Sequence, residues 1–167
     1  MKLINLSKNF YFSLTTVIVI FILDRITKLY IIYKSENLLN NELFISKYLN
    51  ITLIWNNGIA FGLFSLDQGY LYNTLTAIIS IITIIILIMI INSEGMKKYA
   101  LLIILGGALG NLFDRVIYKA VPDFIDFHVE EFHWFIFNVA DIFITIGVIF
   151  MVLIELSSNN KLTNDKI

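Results

Sequence analysis

The chain has 167 residues, of which 58% are hydrophobic, 14% aromatic and only 15% charged, with a mean hydropathy of +0.82. Soluble domains are about 45–50% apolar and about 25% charged, so this composition excludes an ordinary soluble protein and predicts an integral membrane one. A net charge of −1 argues neither for nor against nucleic acid, but there is no basic stripe to bind phosphates and no nucleic-acid partner is expected. The absence of cysteine excludes disulfides, thiolate catalysis, cysteine-based metal sites and cysteine lipidation.

A membrane-spanning helix needs about 20 mostly apolar residues. The first such segment covers about 9–33. Lys2 and Lys8 precede it as in a signal peptide, but no small-residue cleavage site follows and Asp24-Arg25 interrupts the run, which predicts an uncleaved span. Asp24 and Lys28 stand at i, i+4 and pair, with Arg25 expected to snorkel outward, so this is read as a neutral structural cluster.

The loop 34–68 follows. Its Asn-rich stretch Asn37–Asn41 reads as irregular connection. Leu49, Ile51, Leu53 and Trp55 then alternate with Asn50, Thr52 and Ile54, close to the period of a strand, and Asn57-Gly58 supplies a hairpin-type turn before Phe61, Leu63 and Phe64. This predicts a small β-element resting on the membrane surface.

The second and third spans cover about 69–91 and 99–118. In the third, Gly106 and Gly110 form a small-xxx-small pair that lets a neighbouring helix approach, and Asn111, Asp114 and Arg115 share one helix face. These residues serve as a packing seam capped by a structural ion pair with Arg115 reaching the interface, or Asn111 and Arg115 contact substrate.

In the loop 119–137, Pro122 is the chain's only proline and biases its neighbours to extended backbone, which places Asp123 off any helix. Asp126 lies close by. His128 and His133 are five apart, whereas a zinc-protease helix needs i, i+4; on one strand they would face opposite ways. The segment is therefore read as a solvated loop with Trp134 and Phe135 as interface anchors, and no metal is expected.

The fourth span covers about 138–156, with Asn138 as a natural helix cap and Asp141 and Thr145 on the same face. A carboxyl at the bilayer centre costs roughly 2.5–3.5 kcal/mol on insertion scales, so Asp141 points to function. Spacing alone leaves Asp114, Asp123 and Asp126 open as its partner. The tail 157–167 is polar and reads as frayed.

Lysines set the orientation. Lys2, Lys8, Lys97, Lys98, Lys161 and Lys166 fall on one side, against Lys34, Lys47 and Lys119 on the other. Both termini and the loop 92–98 are therefore expected in the cytoplasm, and the loops 34–68 and 119–137 outside. The fold class expected is an all-α membrane protein, a single domain over 1–167 with four transmembrane helices and a small extracytoplasmic β-element.

Five blocks, taken in order, resemble the lipoprotein signal peptidase (signal peptidase II) family. They are Asp24-Arg25-Ile26-Thr27-Lys28, Asn56-Asn57-Gly58-Ile59-Ala60-Phe61, Gly107 through Arg115, Val121-Pro122-Asp123-Phe124 and Phe137-Asn138-Val139-Ala140-Asp141. The resemblance implies a bacterial inner-membrane aspartyl endopeptidase that cuts diacylglyceryl-modified prolipoproteins before the lipidated cysteine. It implies Asp123 and Asp141 as the catalytic pair at the outer face. It also implies that Asn56, Gly58, Asn111, Arg115 and Asn138 line or support the site, and that Asp24 and Asp114 are structural acids. A mobile segment over the site, no cofactor, contact with membrane lipid and a monomeric state go with it. Arg25 stands where the family usually has Gln, and Ile142 where Ser is common. The rival from another class is a small proton-coupled transporter or channel with Asp24, Asp114 and Asp141 as a relay.

Overall fold

The computed structural model describes residues 8–36, 42–58, 69–130 and 132–164. The elements run α1 (Lys8–Ser35), β1 (Glu42–Ile45), β2 (Leu49–Asn56), α2 (Gly69–Ile91), α3 (Gly95–Tyr118), β3 (Val121–Val129), β4 (Phe132–Phe137) and α4 (Val139–Asn164). Among the described residues three helices are long and apolar enough to cross a membrane: α2, α3 and α4 as far as Ser157. The helix α1 is 28 residues long but carries Asp24, Arg25 and Lys28 in its second half.

Helix α3 is the centre of the bundle. Its residues Ala100, Leu101, Leu102, Ile104 and Leu105 are buried, whereas α2 and α4 expose apolar side chains such as Ile81, Ile84, Ile88, Ile149 and Leu153. That is the pattern of helices facing lipid on one side and a central helix on the other. The expected close approach along α3 is present. A Cβ on Gly106 would lie 2.8 Å from Ile20, and one on Gly107 would lie 2.5 Å from the Ala140 carbonyl oxygen. Helix α3 therefore touches α1 on one face and α4 on another.

Two helix boundaries differ from expectation. Helix α3 begins at Gly95, in the left-handed region at φ 57°, not near residue 99. Helix α4 continues to Asn164, through most of the tail expected to fray from residue 157. Backbone hydrogen bonds within a helix are local, so the helix outlasts its apolar run.

The larger correction concerns the loop 119–137, which is a β-hairpin. Strands β1, β2, β3 and β4 form one four-stranded sheet in that order, every neighbouring pair antiparallel. Strand β3 was hard to see because it is central: Val121, Pro122, Asp123 and Phe124 are all buried, so no polar alternation marks it. The turn after it begins with Glu130, which adopts φ 54° without being Gly or Asn, the usual signals. The predicted strand over Leu49–Trp55 is β2, which ends at Asn56. A bulge between Ile51 and Ile54 shifts its alternation, so that Leu53 and Asn56 are buried while Trp55 is exposed. Phe61, Leu63, Phe64 and the stretch 37–41 lie outside the described residues.

Ile31 of α1, Leu53 of β2 and Phe124 of β3 form a buried cluster, with Val139 of α4 packed against it. This cluster seats the sheet against the end of α1 and the start of α4.

Candidate active site

Asp123 reaches the site from β3, where Pro122 and its register opposite Trp55 hold the backbone extended. It is 4% exposed. Asn56 of β2 donates its side-chain amide to Asp123 Oδ2 at 2.8 Å, and Asn138 donates its own to Asp123 Oδ1 at 2.6 Å. Burial, and after it the neighbouring Asp141 carboxyl, push the Asp123 pKa up from 3.8 to about 6, against the two amide hydrogen bonds and the charge of Lys28. Desolvation dominates because a carboxylate out of water loses more than two amides return.

Asp141 comes from the first turn of α4. Asn138 precedes that helix and caps it: its Oδ1 accepts from the Asp141 backbone N–H at 3.2 Å, and Asp141 Oδ2 accepts from the Asn138 backbone N–H at 3.2 Å. This is a reciprocal capping box, with Asp at the position where Glu is common. The sequence favoured Asn138 alone as the cap; both residues cap. A further free N–H of this helix end, that of Ala140, donates to Asp24 Oδ1 of α1 at 3.0 Å. Asp24 thus anchors α4 through a carboxylate at the positive end of its dipole.

Asn111 of α3 supplies the last donor, its amide reaching Asp141 Oδ1 at 2.8 Å. Its orientation is set from behind, because Lys28 Nζ donates to Asn111 Oδ1 at 2.8 Å. Lys28 is fully buried and also meets Asp114 Oδ2 at 2.6 Å and Asp24 Oδ1 at 2.9 Å. Arg25 does not snorkel outward. It turns inward to bond Asp24 Oδ2 at 2.9 Å and Asp114 Oδ2 at 2.7 Å, with its guanidinium 4.9 Å from the Phe113 ring centroid. Two carboxylates and two cations thus cancel, which is what burial demands.

For Arg115 the sequence left open a structural ion pair or substrate contact; in the structure, among the described residues, its hydrogen bonds go to backbone. It donates to the Asn111 carbonyl at 3.3 Å and to the Gly58 carbonyl at 3.2 Å. Gly58 in turn donates its N–H to Asn56 Oδ1 at 2.8 Å, so α3 fixes the end of β2 and the amide that faces Asp123. Tyr72 of α2 closes the assembly by donating to the Arg115 carbonyl at 3.2 Å.

The structure therefore brings Asp123, Asp141, Asn56, Gly58, Asn111, Arg115 and Asn138 together. Of the three acids that spacing left open, Asp114 is engaged by Arg25 and Lys28, and Asp126 faces His133 at 2.8 Å. Only Asp123 shares a partner with Asp141. Sequence reasoning did not find Lys28 as the residue that orients Asn111, or Tyr72. The available signal for Lys28 was an ammonium deep in an apolar helix, which is costly unless used. Beside Asp141 opens an apolar groove of about 580 Å³, lined among others by Tyr48, Phe127, Trp134, Phe137 and Thr145.

Comparison with known proteins gives the family of the chain, independently of this geometry. A family profile described as Signal peptidase (SPase) II matches residues 16–157. The lipoprotein signal peptidase of Pelagibacter ubique (strain HTCC1062) is 52% identical, over 99% of each chain. That of Anaplasma phagocytophilum (strain HZ) is 41% identical, over 86% of this chain and 91% of its own. A solved bacterial membrane enzyme at 2.3 Å resolution superposes with a TM-score of 0.71 at 33% identity, covering 89% of this chain and 90% of its own. With the profile spanning most of the sequence and relatives matching from end to end, the chain belongs to the signal peptidase II family.

Proposed function

We propose that Asp123 and Asp141 are the carboxyls with which this aspartic peptidase removes signal peptides from prolipoproteins, cutting before a diacylglyceryl-modified cysteine. The observation that carries the assignment is Asn138: its side-chain amide donates to Asp123 at 2.6 Å and its backbone N–H to Asp141 at 3.2 Å. One residue thus holds the two carboxyls to one place.

Two such acids do not both ionise cheaply, so the pair shares one proton. The ionised member takes a proton from a bound water, whose oxygen attacks the scissile carbonyl carbon. The protonated member donates to the developing oxyanion, and collapse of the tetrahedral intermediate breaks the C–N bond as the amine gains a proton. The shared proton belongs to the pair. Asn56, Asn111 and Asn138 position the carboxyls, and Arg115 and Gly58 hold Asn56 in turn. Asp24 and Asp114 are structural: the first anchors α4, and both neutralise Lys28 and Arg25.

The four-span reading takes α1 as a crossing helix whose charges are turned inward against α3. The lysine distribution supports that reading with both termini in the cytoplasm and the site at the outer face of the bacterial inner membrane, and we take the chain as a single monomeric domain. The apolar groove beside Asp141 suits an apolar signal peptide or acyl chain. A proton relay through Asp24, Asp114 and Asp141 is not favoured, because the first two are closed by buried cations.

The test is cleavage of a lipidated prolipoprotein by the purified protein in detergent. Release of signal peptide by the wild type, and none by Asp123→Asn or Asp141→Asn although both fold, is expected. Near-normal cleavage by either variant removes that residue from the pair.

A further inference from the structure

The five-residue spacing of His128 and His133 rules out one helix face and one strand face, but the two lie on different strands. His128 of β3 and His133 of β4 are register partners. Their side chains share a sheet face, with ring centroids 5.0 Å apart and planes 20° from parallel. Asp126 stands two residues before His128, so the strand period puts its side chain on that face too. Its carboxylate meets His133 Nδ1 at 2.8 Å and 3.0 Å, with the Asn50 amide 3.5 Å from Oδ2 on the other side. Among the described residues His128 Nδ1 is buried and has no hydrogen-bond partner. Buried polar atoms are nearly always satisfied, so an imidazole nitrogen left open beside a second imidazole and a carboxylate points to a missing ligand.

We propose that Asp126, His128 and His133 form a binding site for a divalent transition-metal ion of the zinc type. Each residue offers one ligand atom, and the three atoms lie within 4.8 Å of one another. Two imidazole nitrogens and one carboxylate oxygen suit zinc or its neighbours and not magnesium or calcium, which take oxygen. A tetrahedral ion about 2 Å from each ligand atom would set them roughly 3.3–3.5 Å apart. The Asp126–His133 contact must open slightly and His128 must approach, which side-chain rotation allows because the His133 side chain is 52% exposed. Three protein ligands leave a fourth position for water.

The site has a structural consequence. It ties β3 to β4 near the turn of the hairpin whose first strand carries Asp123 and whose second runs directly into Asn138. A bound ion therefore clamps the two arms that deliver the dyad, and His128 also lines the groove beside Asp141. The zinc site is independent of the catalytic assignment: it stands or falls on metal binding, not on cleavage.

The experiment uses the full chain in detergent, with any affinity tag removed and metal stripped. Calorimetric titration with Zn²⁺ is expected to show one ion per chain, and Co²⁺ to give the visible absorption of a four-coordinate nitrogen–oxygen site. Zn²⁺, but not Mg²⁺, is expected to raise the thermal unfolding midpoint. His133→Ala, with its unfolding midpoint checked without metal because His133 also holds the buried Asp126, weakens Zn²⁺ binding at least about tenfold, the loss that even an outer hydrogen-bond partner of a metal ligand costs. His128→Asn does the same and abolishes the Co²⁺ spectrum. No saturable Zn²⁺ binding by the wild type, or equal binding by both variants, overturns the proposal.

Discussion

Asn138 and Asp141 exchange two hydrogen bonds, each of 3.2 Å, across the first turn of α4. The same asparagine also binds Asp123 through its amide nitrogen at 2.6 Å. Capping and positioning of the acids are therefore one device, and substitutions separate them. Asn138→Ala loses the cap, about 1 kcal/mol of stability, and with it the bridge between the acids. Asn138→Asp keeps the cap but sets a third carboxyl against Asp123. A third buried carboxyl costs more than the cap returns, so thermal unfolding at neutral pH should rank Ala above Asp at this position, while cleavage falls at least about a hundredfold in both. Equal activity of Asn138→Asp and wild type would refute the bridging role.

The raised pKa of Asp123 has a definite sign in stability. Below about pH 4 its carboxyl is protonated in both folded and unfolded chains. Between 3.8 and about 6 the unfolded chain releases the proton first, so stability falls as pH rises. Above that window the ionised folded site carries a penalty of about 3 kcal/mol. Asp123→Asn removes it, less about 1 kcal/mol because Asn56 and Asn138 both donate and one would face another donor. The Asp123→Asn variant should therefore unfold later than wild type at pH 7.5, with the gap closing below pH 4. A variant less stable at every pH contradicts this.

Activity should follow the same group. If the pair works with one proton, losing that proton stops the reaction, so kcat/KM for a lipidated peptide declines on an alkaline limb near pH 6. The apparent value belongs to the pair. A rate profile that stays level to pH 8 excludes a one-proton pair titrating near pH 6 in the free enzyme.

Gly107 tests how closely α3 and α4 must approach. A Cβ there would stand 2.5 Å from the Ala140 carbonyl oxygen, a backbone atom that cannot swing aside. Gly107→Ala should cost roughly 1–3 kcal/mol of stability and move the helix end that carries Asp141. Gly69→Ala is the control, since among the described residues nothing lies within 4 Å of its added Cβ. If the two variants unfold alike, the close contact is unimportant.

Lys28→Met keeps side-chain length but removes the ammonium that Asp24, Asp114 and Asn111 share. Breaking a buried charge network costs about 3–5 kcal/mol, and Asn111 loses what fixes its amide toward Asp141. The expected result is a much lower unfolding midpoint, and slow cleavage in whatever folds. Lys28→Arg should not rescue, because a planar guanidinium does not fit a site built round a point charge. Full rescue by Arg would show that charge alone suffices.

The amino-acid sequence by itself determined the elements whose signal is local. Long apolar runs mark α2, α3 and α4; alternation marks β2; Pro122 places Asp123 on extended backbone; Asn138 marks the start of α4. The five family blocks also name nearly every residue that meets at the site. What only the tertiary structure decided is which groups face each other. That β3 is a central strand, buried on both faces from Val121 to Phe124 and closed by a turn with Glu130 in place of Gly or Asn, left no periodic trace. That Arg25 turns inward, that Asp24 caps a helix 116 residues away and that two histidines stack across a hairpin depend on pairing between distant segments. Periodicity reports which side of an element avoids water, because burial acts on each residue in turn. It carries no information about the partner that provides the burial, and the chemistry of this protein lies in those partners.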